Sequence, residues 1–457
     1  MVALYMTWII LLIFVAVLYK YGKKDFTSPA FFLALSFFAS FTVVMLNIKN
    51  WDIEIYGYNW STTFCILAAI ISFAIGSMIV ASRSDRNNVN KATVHWQIET
   101  RNANYPYVFF AVLSIIMFLL FLKFKIRNIS LSSLLSFTNA LRDNYTSEKE
   151  YSFLTSQILE ALVGLAYISL HRVMLEKFYL RKKVNKNLFI PILLFLFGTL
   201  LYTDRNIFLR FMIFGLTAFV MSFNWEGVTT RNNRKLIVRV AAAVLAIAVV
   251  FWLYGHLKEY TSDFERMVGI YAGSGIYGFN LWLQDFNNQF TNGELTFSSI
   301  LNTLSAFGIG QGTSLSQRFE MMVYQSRNDY VFVTNIFSAL RIYYQDFGIL
   351  GIIAVSFPMG MIFEKLYQAA IKRKFGFWWL FYCSHIYHIL YFPILEQFLL
   401  RFHLGIIYEI FWLCFFYYLV YGTNGLWRIR MKENYERCDK KGKITKGKCC
   451  TKCYKTM

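Results

Sequence analysis

Charge is scarce in this chain. Asp, Glu, Lys and Arg make up 16% of its 457 residues, and 57% are hydrophobic. Soluble domains carry about 25% charged and 45–50% apolar residues, so the shortage excludes an ordinary soluble globular domain. Cysteine is sparse too. There are seven, and none falls in a segment expected outside the membrane, so no disulfide framework holds an external face. Four of them, Cys438, Cys449, Cys450 and Cys453, lie in a basic tail. Adjacent Cys449-Cys450 is poor zinc spacing, and the two C-x-x-C knuckles usual for a zinc site are absent. The tail reads instead as solvated and drawn to lipid headgroups. The chain also lacks a Walker A loop, an H-E-x-x-H motif, a repeat of 20–50 residues and an inverted repeat of the transporter kind.

What is abundant is long apolar runs. A run of about 20 residues spans the hydrocarbon core, and about eleven candidates occur: 2–19, 29–48, 61–81, 106–122, 151–171, 187–203, 205–224, 236–255, 348–364, 375–394 and 405–423. The stretch 187–224 would reach roughly 57 Å as one helix, against a core of about 30 Å. Thr203, Asp204 and Arg205 therefore read as a turn between two spans. The first run has no cleavage-site pattern and is expected to be a retained helix. The expected fold is an all-α polytopic membrane protein. Residues 1–255 hold spans 1–8, 256–347 form one long external loop with short helices, 348–425 hold spans 9–11, and 426–457 form a basic cytoplasmic tail.

The net charge of +20 does not point to nucleic acid. With the N-terminus outside, most of the Lys and Arg fall in the segments on the inner side, which is the positive-inside pattern. Arg172 is counted among them, and the tail places the C-terminus in the cytoplasm. The basic 231–239 and 365–374 segments flank the long loop and put it outside. A loop of that length is usually functional or disordered. This one is rich in Gly, Tyr, Phe and Asn without like-charge runs, so it is expected to be folded. Stretches 276–284 and 294–306 read as short apolar helices lying on the bundle or partly re-entering it.

Ionisable groups within spans are functional-site candidates, and here they gather toward the outer half. Arg205 opens span 7 and Arg210 lies deeper. Glu160 is on span 5, His385 and His388 on span 10, Glu396 and Arg401 at its exit, and Glu409 on span 11. The loop adds His256, Arg266, Arg318, Arg327 and Arg341. Each has a plainer reading: Arg205 and Arg401 snorkelling at the interface, Glu160 and Glu409 pairing with arginines, and the two histidines satisfied in the core. The His385–His388 spacing also suits a metal, but no third ligand is evident. Arginine binds phosphate in a bidentate way and stays charged. Several arginines at an outer surface therefore suit a lipid diphosphate, holding its headgroup and stabilising charge on a departing diphosphate.

Three blocks of the loop carry a resemblance. They are IYAGSGIYGFN (270–280), TFSSILNTLSAFG (296–308) and TNIFSALRIYYQDFGILG (334–351). With Thr203-Asp204-Arg205 at a span start, they resemble the Wzy-type oligosaccharide repeat-unit polymerases of O-antigen and capsule synthesis. The resemblance implies a bacterial plasma-membrane enzyme similar to the metal-independent GT-C-like glycosyltransferases. Such an enzyme transfers a glycan from undecaprenyl diphosphate to the non-reducing end of another lipid-linked repeat unit on the outer face. The expected partners are that lipid-linked oligosaccharide, membrane lipid and a chain-length regulator; no cofactor or metal is expected. Arg205, Arg210 and Arg341 are the first choices for diphosphate contacts, and Arg318, Arg327 and Arg401 the second. Asp346, Glu396 and His256 are the candidate bases, with Asp346 alternatively holding Arg341. Tyr343 and Tyr344 either stack on sugar faces or belong to an aromatic belt. Gly273, Gly275, Gly278 and Gly348 are expected to set turns or close approaches. The competing readings are an O-antigen ligase-like glycan transferase and, in a different class, a lipid-linked oligosaccharide flippase or transporter.

Overall fold

The computed structural model describes residues 1–22, 25–83, 94–99, 105–125, 153–202, 205–223, 238–247, 249–250, 252, 268–312, 322–325, 331–402, 404–421 and 428–433. The fold is helical. Its main helices are α1 (Val2–Tyr21), α2 (Pro29–Leu46), α3 (Trp60–Arg83), α4 (Tyr105–Lys125), α5 (Phe153–Met174), α6 (Phe189–Tyr202), α7 (Arg205–Phe223), α8 (Ser274–Asp285), α9 (Ser298–Ala306), α10 (Ala339–Lys372), α11 (Phe377–His385), α12 (Tyr387–Leu390) and α13 (Leu404–Tyr421). Among the described residues, six helices are long and apolar enough to cross a membrane: Val2–Tyr21, Pro29–Leu46, Trp60–Arg83, Pro106–Lys123, Ser156–Tyr179 and Ala339–Lys372. The other apolar runs carry shorter helices, over Lys186–Thr199, Asn206–Ser222, Val238–Ile247 and Gly405–Tyr421. The run 375–394 is broken. It forms α11, a step at Ile386 and the single turn α12, then leaves helix altogether.

Two antiparallel strand pairs accompany the helices. Val94–Glu99 pairs with Arg428–Glu433, which brings part of the basic tail to the segment after α3. Met322–Gln325 pairs with Val331–Thr334 inside the long loop.

The most extensive helix packing is between α3 and α10, and small residues set it. A Cβ added to Gly76 would lie 2.2 Å from Phe357 O, and one added to Gly360 would lie 2.1 Å from Phe73 O. Each glycine thus receives the other helix's backbone, the means by which membrane helices approach closely. Below this crossing, buried Glu364 accepts from Ser77 Oγ at 2.8 Å and from Gln368 Nε2 at 2.5 Å. The loop–span boundary expected at 348 falls inside α10. Ser338 caps the helix by accepting from Leu340 N, so the helix starts well before the apolar run. Gly348 then breaks its geometry with φ 62° and ψ −153°, a conformation that favours glycine.

The bundle has two distinguishable ends. At one, Asn280 of α8 accepts from Asn59 N and Thr62 Oγ1 and donates to Gly57 O. Trp51 stacks on Tyr277 there, with centroids 5.7 Å apart. This is the loop-bearing end. At the other, Tyr382 donates to Thr27 O, Tyr367 to Asp25, and His171 meets Phe375 O and Tyr421 OH. Arg172, expected in a solvated inner loop, is buried here instead. It pairs with Glu176 at 2.8 Å and donates to Tyr107 OH at 3.1 Å. The physical reason is helix length: α5 runs into a π-turn over Leu175–Tyr179, which carries both charges into the packed interior.

The α3–α10 crossing leaves no room for a side chain at its glycines. Gly360→Val is expected to lose at least about 3 kcal/mol, the upper end of overpacking costs, seen as loss of the monodisperse peak when detergent-solubilised protein is heated and run on size exclusion. Gly198→Ala, whose Cβ would meet the Phe118 ring at an ordinary 3.6 Å, is expected to run like the wild type.

Candidate functional site

The three loop blocks converge on the turn that follows α12. Gly275 faces it so closely that a Cβ would lie 2.6 Å from both Pro393 O and Ile394 O. Ser338 N donates to Gly275 O at 2.8 Å, and Ser338 Oγ and Ala339 N both donate to Phe392 O at 3.0 Å. Ser299 Oγ donates to Leu400 O at 2.6 Å. Ser274 and Thr334 share a hydroxyl–hydroxyl bond of 2.9 Å.

Two candidate carboxylates organise this assembly. Glu396 is 2% exposed. It accepts from Tyr343 OH at 2.6 Å and from the backbone N–H of Phe398, Leu399 and Leu400 at 2.8, 2.7 and 2.8 Å. Burial pushes its carboxyl above the ordinary value, and these four donors act against that rise. The three N–H groups belong to the start of the one-turn helix Leu399–Arg401, so Glu396 caps the turn that carries Arg401. Asp346 plays the same part for another segment. It accepts from Thr291 Oγ1, from Leu295 N at 3.3 Å and from Thr296 N at 2.6 Å. Its bonds go to the 291–296 segment, whereas the Arg341 guanidinium lies over the Phe337 ring at 4.0 Å and the Trp282 ring at 5.2 Å. Tyr343 is buried against Glu396, and Tyr344 packs edge-on to Phe279, Trp282 and Phe286.

The charges meet at Glu409. Its Oε2 accepts from Arg210 Nη1 and from Arg401 Nη2, both at 3.1 Å. Arg210, 7% exposed, also lies over the Tyr387 ring at 5.3 Å. The three groups carry one net positive charge. The Nε of each arginine is buried with no hydrogen-bond partner among the described residues. Glu160, half-buried on α5, adds its charge to the same neighbourhood. His385 stacks on Phe381 at 4.1 Å, and its Nδ1 meets Phe381 O at 2.9 Å. A carbonyl only accepts, so Nδ1 carries the proton and Nε2 is left as an acceptor. That Nε2 is buried without a partner among the described residues. His388 lies 5.9 Å from it, ring to ring, with its own Nδ1 on Gln397 O at 2.6 Å.

The structure thus brings together Arg210, Arg401, Glu409, His385 and His388, and ties Glu396 and Tyr343 to them through the 396–401 turn. Arg205 opens α7; its side chain, and His256, Arg266, Arg318 and Arg327, lie outside the described residues. An open depression of about 480 Å³ at the same end is lined by Met1, Tyr58, Asn59, Trp60 and Gln284 and holds none of these charges. The two unmatched guanidinium Nε donors suit an anion such as a phosphate. Comparison with protein families, characterised proteins and solved structures finds no match.

Removing Glu409 takes the carboxylate from buried Arg210 and half-buried Arg401. Glu409→Ala is expected to cost about 3–5 kcal/mol. Glu396→Ala, which strips acceptors from buried donors, is expected to cost about 1–3 kcal/mol. Thermal unfolding of the detergent-purified protein measures both. Exposed Glu294→Ala serves as the control, with no change expected.

Proposed function

We propose that this chain polymerises lipid-linked oligosaccharide repeat units, moving a glycan from undecaprenyl diphosphate to the non-reducing end of a second lipid-linked unit. The observation that carries the reading is the convergence of the three loop blocks on the Arg401 turn, beside the Arg210–Glu409–Arg401 cluster whose two Nε donors are unmatched among the described residues. In this reading the bundle is an eleven-span, GT-C-like protein of the bacterial plasma membrane. Its loop-bearing end faces outward, its N-terminus is outside and its tail is in the cytoplasm. Arg210 and Arg401 hold the diphosphate, and Arg205, Arg341, Arg318 and Arg327 are the further arginines this reading assigns to it. Their charge stabilises the departing diphosphate. The acceptor hydroxyl attacks the anomeric carbon, the bond to the diphosphate oxygen breaks, and a base takes the hydroxyl proton. Asp346 and Glu396 already serve backbone donors, which favours the Nε2 of His385 among the described candidates; His256 is the sequence's other candidate base. A ligase acting on a different acceptor would use the same pocket.

One observation favours a second reading. Arg172, Glu176, Tyr107 and His171 form a buried polar cluster at the opposite end, as a lipid-linked oligosaccharide transporter with a polar path would require. The two readings separate in a strain lacking the gene and complemented with wild type, Arg401→Ala or Arg401→Lys at equal membrane levels. Polymerase action predicts a glycan ladder with wild type and single surface repeat units with Arg401→Ala. Arg401→Lys restores little, because a lysine is a point charge without the bidentate fork. Single units held on the cytoplasmic leaflet would instead identify a transporter.

A further inference from the structure

Exposed apolar side chains gather along the segment that follows α8. Phe290, Phe297 and Phe347 are 46%, 41% and 42% exposed. They adjoin one another: a Cβ on Gly293 would meet Phe347 at 3.0 Å and Phe297 at 3.1 Å, and one on Gly348 would meet Phe290 at 3.5 Å. Helix α9 follows Phe297. It closes with Ile309 N donating to Leu304 O and with Gly308 at φ 77°. Leu304, Phe307 and Ile309 are 38%, 67% and 60% exposed there. Residues 286–312 contain a single ionisable side chain, Glu294. An apolar stretch with one carboxylate is unusual on a water-facing surface, and offers little to a protein partner recognised by charge.

The surface also has a direction. Immediately past Gly348, α10 exposes Ile349, Leu350 and Ile353, and this helix is one of the six long and apolar enough to cross a membrane. The loop's apolar face therefore leads, through Phe347 and Gly348, into a candidate lipid-facing stripe. We propose that the segment Phe290–Ile309, with Phe347, is an interfacial membrane element whose occupant is the acyl chains of the leaflet at the loop-bearing end. Helix α9 lies in the plane of that interface, polar Ser298 and Ser299 turned to the protein and Phe297, Leu304 and Phe307 to lipid. Ser299 bonds Leu400 O, so the lipid-seated helix braces the turn that carries Arg401 and sets the charged cluster at headgroup depth. This inference needs only the membrane reading and stands apart from the polymerase proposal.

The test places the photoreactive residue p-benzoylphenylalanine, one position at a time, at Phe307, Phe297, Leu350 and Asn292 of the full chain. Each protein is reconstituted in phosphatidylethanolamine–phosphatidylglycerol vesicles, irradiated and examined by mass spectrometry. The expected result is lipid adducts at 307 and 297 as abundant as at 350, and several-fold fewer at exposed Asn292. Lipid adducts at 350 with none at 307 or 297 would overturn the proposal, as would adducts at 307 joining two copies of the chain. No lipid adduct at 350 would overturn it together with the membrane reading of α10, and would leave the glycan-ladder experiment to speak for the polymerase.

Discussion

The loop-bearing end depends on one carboxylate. Glu409 stands on α13 and holds Arg210 of α7 and Arg401 of the 399–401 turn on the same oxygen. Charges buried this deeply are tolerated only when paired, so none of the three elements can shift alone without exposing an uncompensated ion. Both Nε donors lack partners among the described residues.

The other two carboxylates do their work on backbone. Glu396 collects three N–H groups and a phenol, and so folds the turn that presents Arg401. Asp346 collects two N–H groups and a hydroxyl, and so fixes the 291–296 segment ahead of α9. Close glycine approaches supply the rest: Gly275 admits the 393–394 backbone, and the Gly76–Gly360 crossing lets α3 and α10 meet. A loop that would otherwise need its own core is thereby fastened to the bundle by a few buried polar contacts.

Apolar run length made the helices legible, because a helix buried or lipid-facing on all sides needs little else. It did not show the break at Ile386, since α11 and α12 are equally apolar on either side of it. The early start of α10 was hidden for a related reason: residues 339–347 carry Arg341, Gln345 and Asp346 and read as loop. In the site, Arg210, Arg401 and the pairing role of Glu409 were readable from ionisable groups within apolar runs. The roles of Asp346 and Glu396 were not, because a carboxylate that caps a turn is recognisable only once the turn's N–H groups are located. Arg172 counts among the inner-side basic residues because it follows an apolar run, and its burial against Glu176 one turn on shows only in the packed structure. His385 reads either as a pocket residue or as a satisfied core histidine; its Nδ1 fits the second reading and its Nε2 does not.

The central claim is that Arg210 and Glu409 act as one unit, and a double-mutant cycle tests it most directly. Unfolding free energies of wild type, Arg210→Ala, Glu409→Ala and the double variant would be measured in the same detergent. A shared ion pair predicts that the double variant loses less than the sum of the singles, with a coupling of about 1.5–3 kcal/mol. Losses that add to within about 0.5 kcal/mol would contradict the pairing and, with it, the architecture proposed for the site.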